Sequence, residues 1–320
     1  MTAAPQNPAI GWFGAIVALT GFSMTGVWVR WLDGMNPLAI VGWRGAMALV
    51  VLVPAVLLTE GGSAAVRHLS RWSTHSVALR MTVFFASAVV AFQLAPVALV
   101  IMFIGTSPAW ALLIERVAGK AIRRREAVGV AIVLVGAVTG LGPALYGAVL
   151  GEAASSSTAI GAALGLVSGF LAASYVVGRN VLGQQVIPPP NAFTFAMTTA
   201  LWGLLLFPIA AASGRGALIP SDVQWLSAVG IGLVSTAAPL WGLATASRHL
   251  PPVVVTLVTP LGPFTGAALA FVFLGEVPPA AFALAIPFIM IGIGLVTGLL
   301  PPPARASGRL GAKEKTPGMR

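Results

Sequence analysis

The chain has 320 residues, 58% of them hydrophobic and only 8% charged, where a water-exposed domain carries roughly 25% charged residues. That balance excludes an ordinary soluble domain, and the absence of cysteine excludes disulfides and thiolate metal sites. The formal charge of +10 lies in gaps between apolar runs rather than along one stripe, so the expected partner is a lipid bilayer and not nucleic acid.

A helix needs roughly 20 mostly apolar residues to cross the hydrocarbon. The first such run, 10–29, has no basic segment before it and is longer than a signal-peptide core, so it reads as a span. The second, 38–58, holds Arg44. The third and fourth, 77–95 and 98–118, are divided only by Ala95-Pro96, and without that junction the count falls to nine. The fifth, 126–146, follows Arg123-Arg124-Arg125. The sixth, 158–178, follows Ser155-Ser156-Ser157, and the seventh, 192–212, follows Pro188-Pro189-Pro190. Runs at 223–244, 252–274 and 279–299 complete ten. Residues 301–320, rich in Pro, Gly, Lys and Arg, predict a disordered tail.

Cytoplasmic loops are enriched in Lys and Arg. With ten spans and the N-terminus inside, fifteen of the eighteen basic residues fall on the inner side. Only Arg30 and Arg215 fall outside, and Arg44 lies within a span. A wrong count would spoil this segregation, so both termini are predicted cytoplasmic.

The chain also resembles itself. Thr20-Gly21-Phe22 returns as Ser168-Gly169-Phe170, Pro96-Val97 as Pro252-Val253, and Gly119-Lys120 as Gly275-Glu276. The segment Val135–Leu141 returns as Ile293–Leu299. An odd number of spans per copy forces the second copy to enter from the opposite face. The expected fold is therefore an all-α integral membrane protein of ten transmembrane helices, built as two inverted five-helix repeats at 10–146 and 158–299.

Pro37-Leu38-Ala39 with Trp43-Arg44, Ser107-Pro108, Thr259-Pro260 and Phe273-Leu274-Gly275-Glu276 together resemble the EamA-domain proteins of the drug/metabolite transporter superfamily. The resemblance spans about 10–300 in two copies, with Lys120 standing where that repeat usually shows Glu. In length and layout the chain is similar to bacterial YddG-type exporters of aromatic and other amino acids. The resemblance implies an inner-membrane carrier.

Inverted-repeat carriers bind substrate where paired helices are broken. The fourth span has Ile104-Gly-Thr-Ser-Pro108, and the ninth has Val258-Thr-Pro-Leu-Gly-Pro263. Proline frees a carbonyl one turn back, which makes Thr106, Ser107, Pro108, Thr256, Thr259 and Pro260 candidate contacts. The competing reading is a plain kink whose hydroxyls bond their own helix. Trp110, in the fourth span, and Tyr175, beside Ser168 and Ser174 in the sixth, offer a stacking wall with a polar handle. Arg44 serves either as a carboxylate ligand or as a structural residue able to snorkel outward.

None of the eight acids lies at mid-span, which argues against an organic-cation/proton antiporter and favours neutral or zwitterionic solutes. His68, His75 and His249 all fall in predicted gaps, and no Gly-x-Ser-x-Gly elbow is present, so no enzyme, metal or cofactor is expected. A duplicated chain without a charged pore lining suits a carrier better than a channel. The matched glycines Gly136/Gly140 and Gly294/Gly298 predict close packing of the fifth and tenth spans, inside a monomer or across a homodimer.

Overall fold

In hydrocarbon every backbone N–H and C=O must find an internal partner, and a helix supplies one within the segment. The computed structural model describes residues 7–185, 192–250 and 258–299. Thr256, the start of the predicted ninth span and the predicted tail lie outside them. Among the described residues nine helical stretches are long and apolar enough to cross a membrane, and Leu261–Leu274 is a shorter apolar helix. The isolated bridge Met35–Ala217 is the one strand-like pairing among them.

The first stretch is α1 (Pro8–Ser23) and α2 (Thr25–Trp31), parted at Met24. Then come α3 (Pro37–Thr59), the short α4 (Gly62–Leu69) and α5 (Trp72–Leu94). Next are α6 (Val97–Ile104), α7 (Ser107–Val117), α8 (Arg124–Val149) and α9 (Ala153–Gln185). The seventh run is α10 (Ala192–Leu204) plus α11 (Leu206–Ser213). The eighth is α12 (Trp225–Gly232), a π-helical turn at Leu233–Ala237, and α13 (Ala238–His249). Last are α14 (Val258–Leu274) and α15 (Ala280–Thr297).

Ala95, in extended backbone, does divide α5 from α6. Several sequence boundaries change, among them the end of α13, which runs to His249 and so takes that residue out of its predicted gap. Helix α5 begins at Trp72, so His75 sits in its first turn and not in a gap. Helix α4 was not foreseen, and α9 runs past the predicted end of the sixth span to Gln185. The fourth and ninth runs also differ. Gly105 and Thr106 interrupt the former, whereas α14 is helical through Pro263.

Packing joins distant parts of the chain: α1 lies on α13, α3 on α10, α5 on α9, and α8 on α15. Two of these contacts are backbone to backbone. A methyl added at Gly14 would sit 2.6 Å from the Gly242 carbonyl, and one at Gly242 would sit 2.5 Å from that of Gly14. Gly129 and Gly292 stand in the same reciprocal relation at 2.7 and 2.6 Å. Small residues permit this approach where lipid supplies no hydrophobic drive. Gly136 faces α15 within the chain, and Gly140 faces Met102 and Phe103 of α6 before Ala285 of α15.

One end is tied by loop hydrogen bonds. Asn36 caps α3 through Leu38 N at 2.9 Å, and its Nδ2 donates to Ser213 Oγ at 2.8 Å and the Arg215 carbonyl at 2.7 Å. Gln93 donates to the Met35 carbonyl, and Gln224 to that of Asp33. Arg30 donates to the Ala95 carbonyl at 2.9 Å, with Glu276 3.9 Å away.

Candidate functional site

Helices α1, α3, α5, α9, α10 and α13, with the π-helical turn, border a partly open cavity of about 470 Å³, a volume that includes the space at its open side. Its wall is mostly apolar and includes Phe22, Met81, Phe85 and Tyr175. Its polar members include Arg44, Thr199 and Thr236. Tyr175 stands edge-on to Phe195, with ring centres 6.3 Å apart. The Thr199 hydroxyl donates to the Phe195 carbonyl, and that of Thr236 to the carbonyl of Ile231 five residues back.

Arg44 is 2% exposed. Proline has no N–H, so Pro239 cannot bond the carbonyl four residues earlier, that of Ser235. Arg44 Nη2 donates to the Ser235 carbonyl at 2.7 Å. Ser235 is itself held by its hydroxyl, which donates to the Gly21 carbonyl at 2.6 Å. The guanidinium carbon lies 3.7 Å from the Phe85 ring centre, within cation–π range. Arg44 Nε and Nη1 are buried without a hydrogen-bond partner. Snorkelling is therefore not what the structure shows. The other such orphans among the described residues, Trp28 Nε1, His68 Nδ1, Thr74 Oγ1 and Arg125 Nε, belong to residues that do not line this cavity.

Thr106 and Trp110 are elsewhere. They line a second cavity of about 240 Å³ with Leu113, Val133 and Leu166. The Thr106 hydroxyl donates to the Phe103 carbonyl at 2.6 Å, and the Trp110 indole donates to Thr106 Oγ1 at 3.1 Å. Ser107 and Pro108 open α7. The break itself is covered, since a methyl on Gly169 would meet the Phe103 carbonyl at 2.8 Å. Ser168 lies apart from both cavities, paired with Ser87 at 2.8 Å and bonded to the Leu164 carbonyl. Thr259 and Pro260 fall in the first turn of α14.

The structure thus brings Arg44 and Tyr175 together and leaves Thr106, Trp110 and Ser168 outside their cavity. Sequence reasoning missed Phe85, Thr199, Thr236 and the Ser235 carbonyl. One signal was present: Pro239 four residues after Ser235. Glu115, next to Arg116 in sequence, pairs instead with Lys120.

At the tied end, Glu276 Oε1 accepts from Val97 N at 2.6 Å, at the start of α6. Burial pushes its carboxyl above the usual carboxylate range. The Arg30 guanidinium and the N–H groups of Val97 and Ala98 pull the other way and only partly offset this.

A solved structure described as "Crystal structure of protein" is similar over 91% of this chain and 97% of its own, at 18% identity and a TM-score of 0.58, a likeness of fold alone. No curated protein matches the chain. The profile of the EamA-like transporter family matches residues 9–140 and matches again at 150–298, which between them carry every wall of the first cavity. The chain is a multi-pass membrane protein and belongs to the EamA-like transporter family, which is a family of transporters and not of enzymes.

Proposed function

We propose that this protein is a carrier that exports small neutral or zwitterionic metabolites, amino acids including aromatic ones, by alternating access, in the manner of YddG-type exporters. The observation that carries this reading is the composition of the Arg44 cavity. Phe22, Arg44 and Phe85 come from the first matched segment, and Tyr175, Thr199 and Thr236 from the second. A site shared by two copies can face either side as the copies exchange conformations.

The packing supports equivalent halves. Helix α1 on α13 has its counterpart in α9 on α5, and α14 on α1 in α6 and α7 on α9. The pairs α3 with α10, α6 with α14 and α8 with α15 map onto themselves. On this reading ten spans form two inverted five-helix repeats, 10–146 and 158–299, in a bacterial inner membrane with both termini cytoplasmic. The tied end then faces outward. The protein works as a monomer, or as a homodimer through the fifth and tenth spans, and needs no cofactor.

The test is uptake by proteoliposomes of the purified protein with a panel of amino acids, sugars and nucleosides. Saturable exchange of amino acids is the expected result. Movement of sugars or nucleosides in place of amino acids would replace the substrate class, and ohmic currents at channel rates would overturn the carrier.

A further inference from the structure

We infer that Arg44 is the anchor for a substrate carboxylate, and that the cavity selects small monocarboxylates with an apolar or aromatic body whether or not they carry an amino group. The inference deepens the carrier reading and rests on its site. Four observations meet at this residue.

First, the guanidinium is buried at 2% exposure, and two of its three nitrogens have no partner. An arginine cannot shed its proton in a protein, so it carries a full charge there. Second, among the described residues no acidic side chain lines the cavity. The ion pairs among the described residues, Arg30–Glu276 and Lys120–Glu115, lie elsewhere. A buried cation without a counter-ion is costly, and an arriving carboxylate removes that cost while accepting the idle N–H groups.

Third, the guanidinium is held in place before any ligand arrives. The Ser235 carbonyl takes one Nη2 proton, and the Phe85 ring supports the carbon at 3.7 Å. Pro239, four residues on, offers that carbonyl no N–H. Its other two nitrogens are idle and closed off from the space beside them, so a carboxylate reaches them by displacing the side chains that cover them. Fourth, the rest of the wall, including Phe22, Met81, Phe85 and Tyr175, suits an apolar body. Among the described residues no carboxylate on the wall waits for an ammonium group. The recognised charge is the negative one.

Three probes share one aromatic body. L-Phenylalanine has both charges, 3-phenylpropionate only the carboxylate, and 2-phenylethylamine only the ammonium. Thermal unfolding of the purified, detergent-solubilised protein is measured with each, and so is competition in proteoliposomes. Both carboxylates are expected to raise Tm and compete, while the amine does neither at tenfold higher concentration. An amine as effective as 3-phenylpropionate overturns the inference, even if phenylalanine is transported. Conversely, 3-phenylpropionate binding without amino-acid transport keeps the inference and sinks the amino-acid reading.

Arg44→Gln is expected to weaken carboxylate binding at least tenfold and Arg44→Lys to keep part of it. Pro239→Ala gives residue 239 an N–H within reach of the Ser235 carbonyl, where it competes with Arg44. It is expected to weaken carboxylate binding several-fold with the fold intact. Carboxylate affinity unchanged in both Arg44→Gln and Pro239→Ala overturns the assignment. If Arg44→Gln does not fold, Pro239→Ala and the wild-type probe series still decide it.

Discussion

Helix α9 contributes a wall to each of two cavities, Tyr175 to one and Leu166 to the other, yet the two spaces differ in what they leave undone. In the smaller one every polar group has a home close by. The Thr106 hydroxyl reaches a carbonyl three residues back, and the Trp110 indole reaches that hydroxyl. In the larger one Arg44 has more donors than its surroundings accept. A hydroxyl in a helix can satisfy itself, but a guanidinium with five N–H donors cannot. The proline break that looks like a site from sequence is closed by local bonding. At the larger one the Ser235 carbonyl, in the π-helical turn before Pro239, takes a charge from another helix.

The comparison is sharpened most by removing the unmet demand altogether. In the double variant Arg44→Leu with Pro239→Ala, the buried cation is gone and residue 239 gains an N–H within reach of the Ser235 carbonyl. Replacing buried charge by apolar packing is stabilising by about 1–4 kcal/mol in favourable cases. The double variant is expected to unfold at higher temperature than the wild type while carboxylate transport falls by roughly 100-fold, about 2.7 kcal/mol of transition-state binding. Thermal unfolding beside proteoliposome uptake checks both halves. A variant that is destabilised and still transports would make Arg44 structural.

Trp110→Ala addresses the other cavity. It removes the edge-on contact with Phe170, centred 5.9 Å away, and the partner of Thr106. The expected cost is about 1–3 kcal/mol of stability, with the apparent KM for an amino acid within threefold of wild type. A tenfold change in KM with unaltered stability would move the binding site to the α6–α7 break. Ser168→Ala is a smaller perturbation. It breaks the hydroxyl pair with Ser87 between α9 and α5, and hydrogen bonds between membrane helices are worth about 0.6 kcal/mol on average. Transport close to wild type is expected, and a large transport loss would bring Ser168 back into the site.

Much of the fold was legible because lipid imposes a strong rule. Apolar length alone marks the spans, and Ala95-Pro96 parts α5 from α6 where the sequence suggested. The kink at Gly105–Pro108 was also foreseen. Legibility fails where the outcome depends on rotation of a helix about its axis, which neighbouring helices set and hydropathy does not. Thr106, Tyr175 and Arg44 all sit in apolar runs, and only packing decides that the last two share a wall. The start of α5 was misplaced because Trp72–Ser76 is polar. His75 is accommodated there by accepting from the Trp202 indole at 3.2 Å and bonding the Leu69 carbonyl at 2.6 Å. The π turn before Pro239 was invisible because hydropathy does not report the register of a helix's hydrogen bonds.

The smallest expected effect is at the tied end, where the balance of charges is the reverse of that at Arg44. Glu276 has the Arg30 guanidinium 3.9 Å away and a backbone donor at 2.6 Å, yet burial raises its carboxyl above the usual range. The folded protein therefore holds that proton to higher pH than the unfolded chain does. Between the ordinary Glu value and the raised one the folded state binds more protons, so this residue's contribution to stability falls as pH rises through that window. Glutamine keeps the acceptor for Val97 N and does not titrate. Glu276→Gln is expected to match the wild type in acid, where the carboxyl is neutral. It should gain on the wild type as pH climbs from about 4 toward 7, across and beyond the ordinary Glu range. Thermal unfolding in detergent over that range measures the difference directly. If the wild type instead gains on the variant as pH rises, the ion pair with Arg30 outweighs burial. The latch between α2, α6 and the α14–α15 loop would then be held by charge and not by the capping hydrogen bond alone.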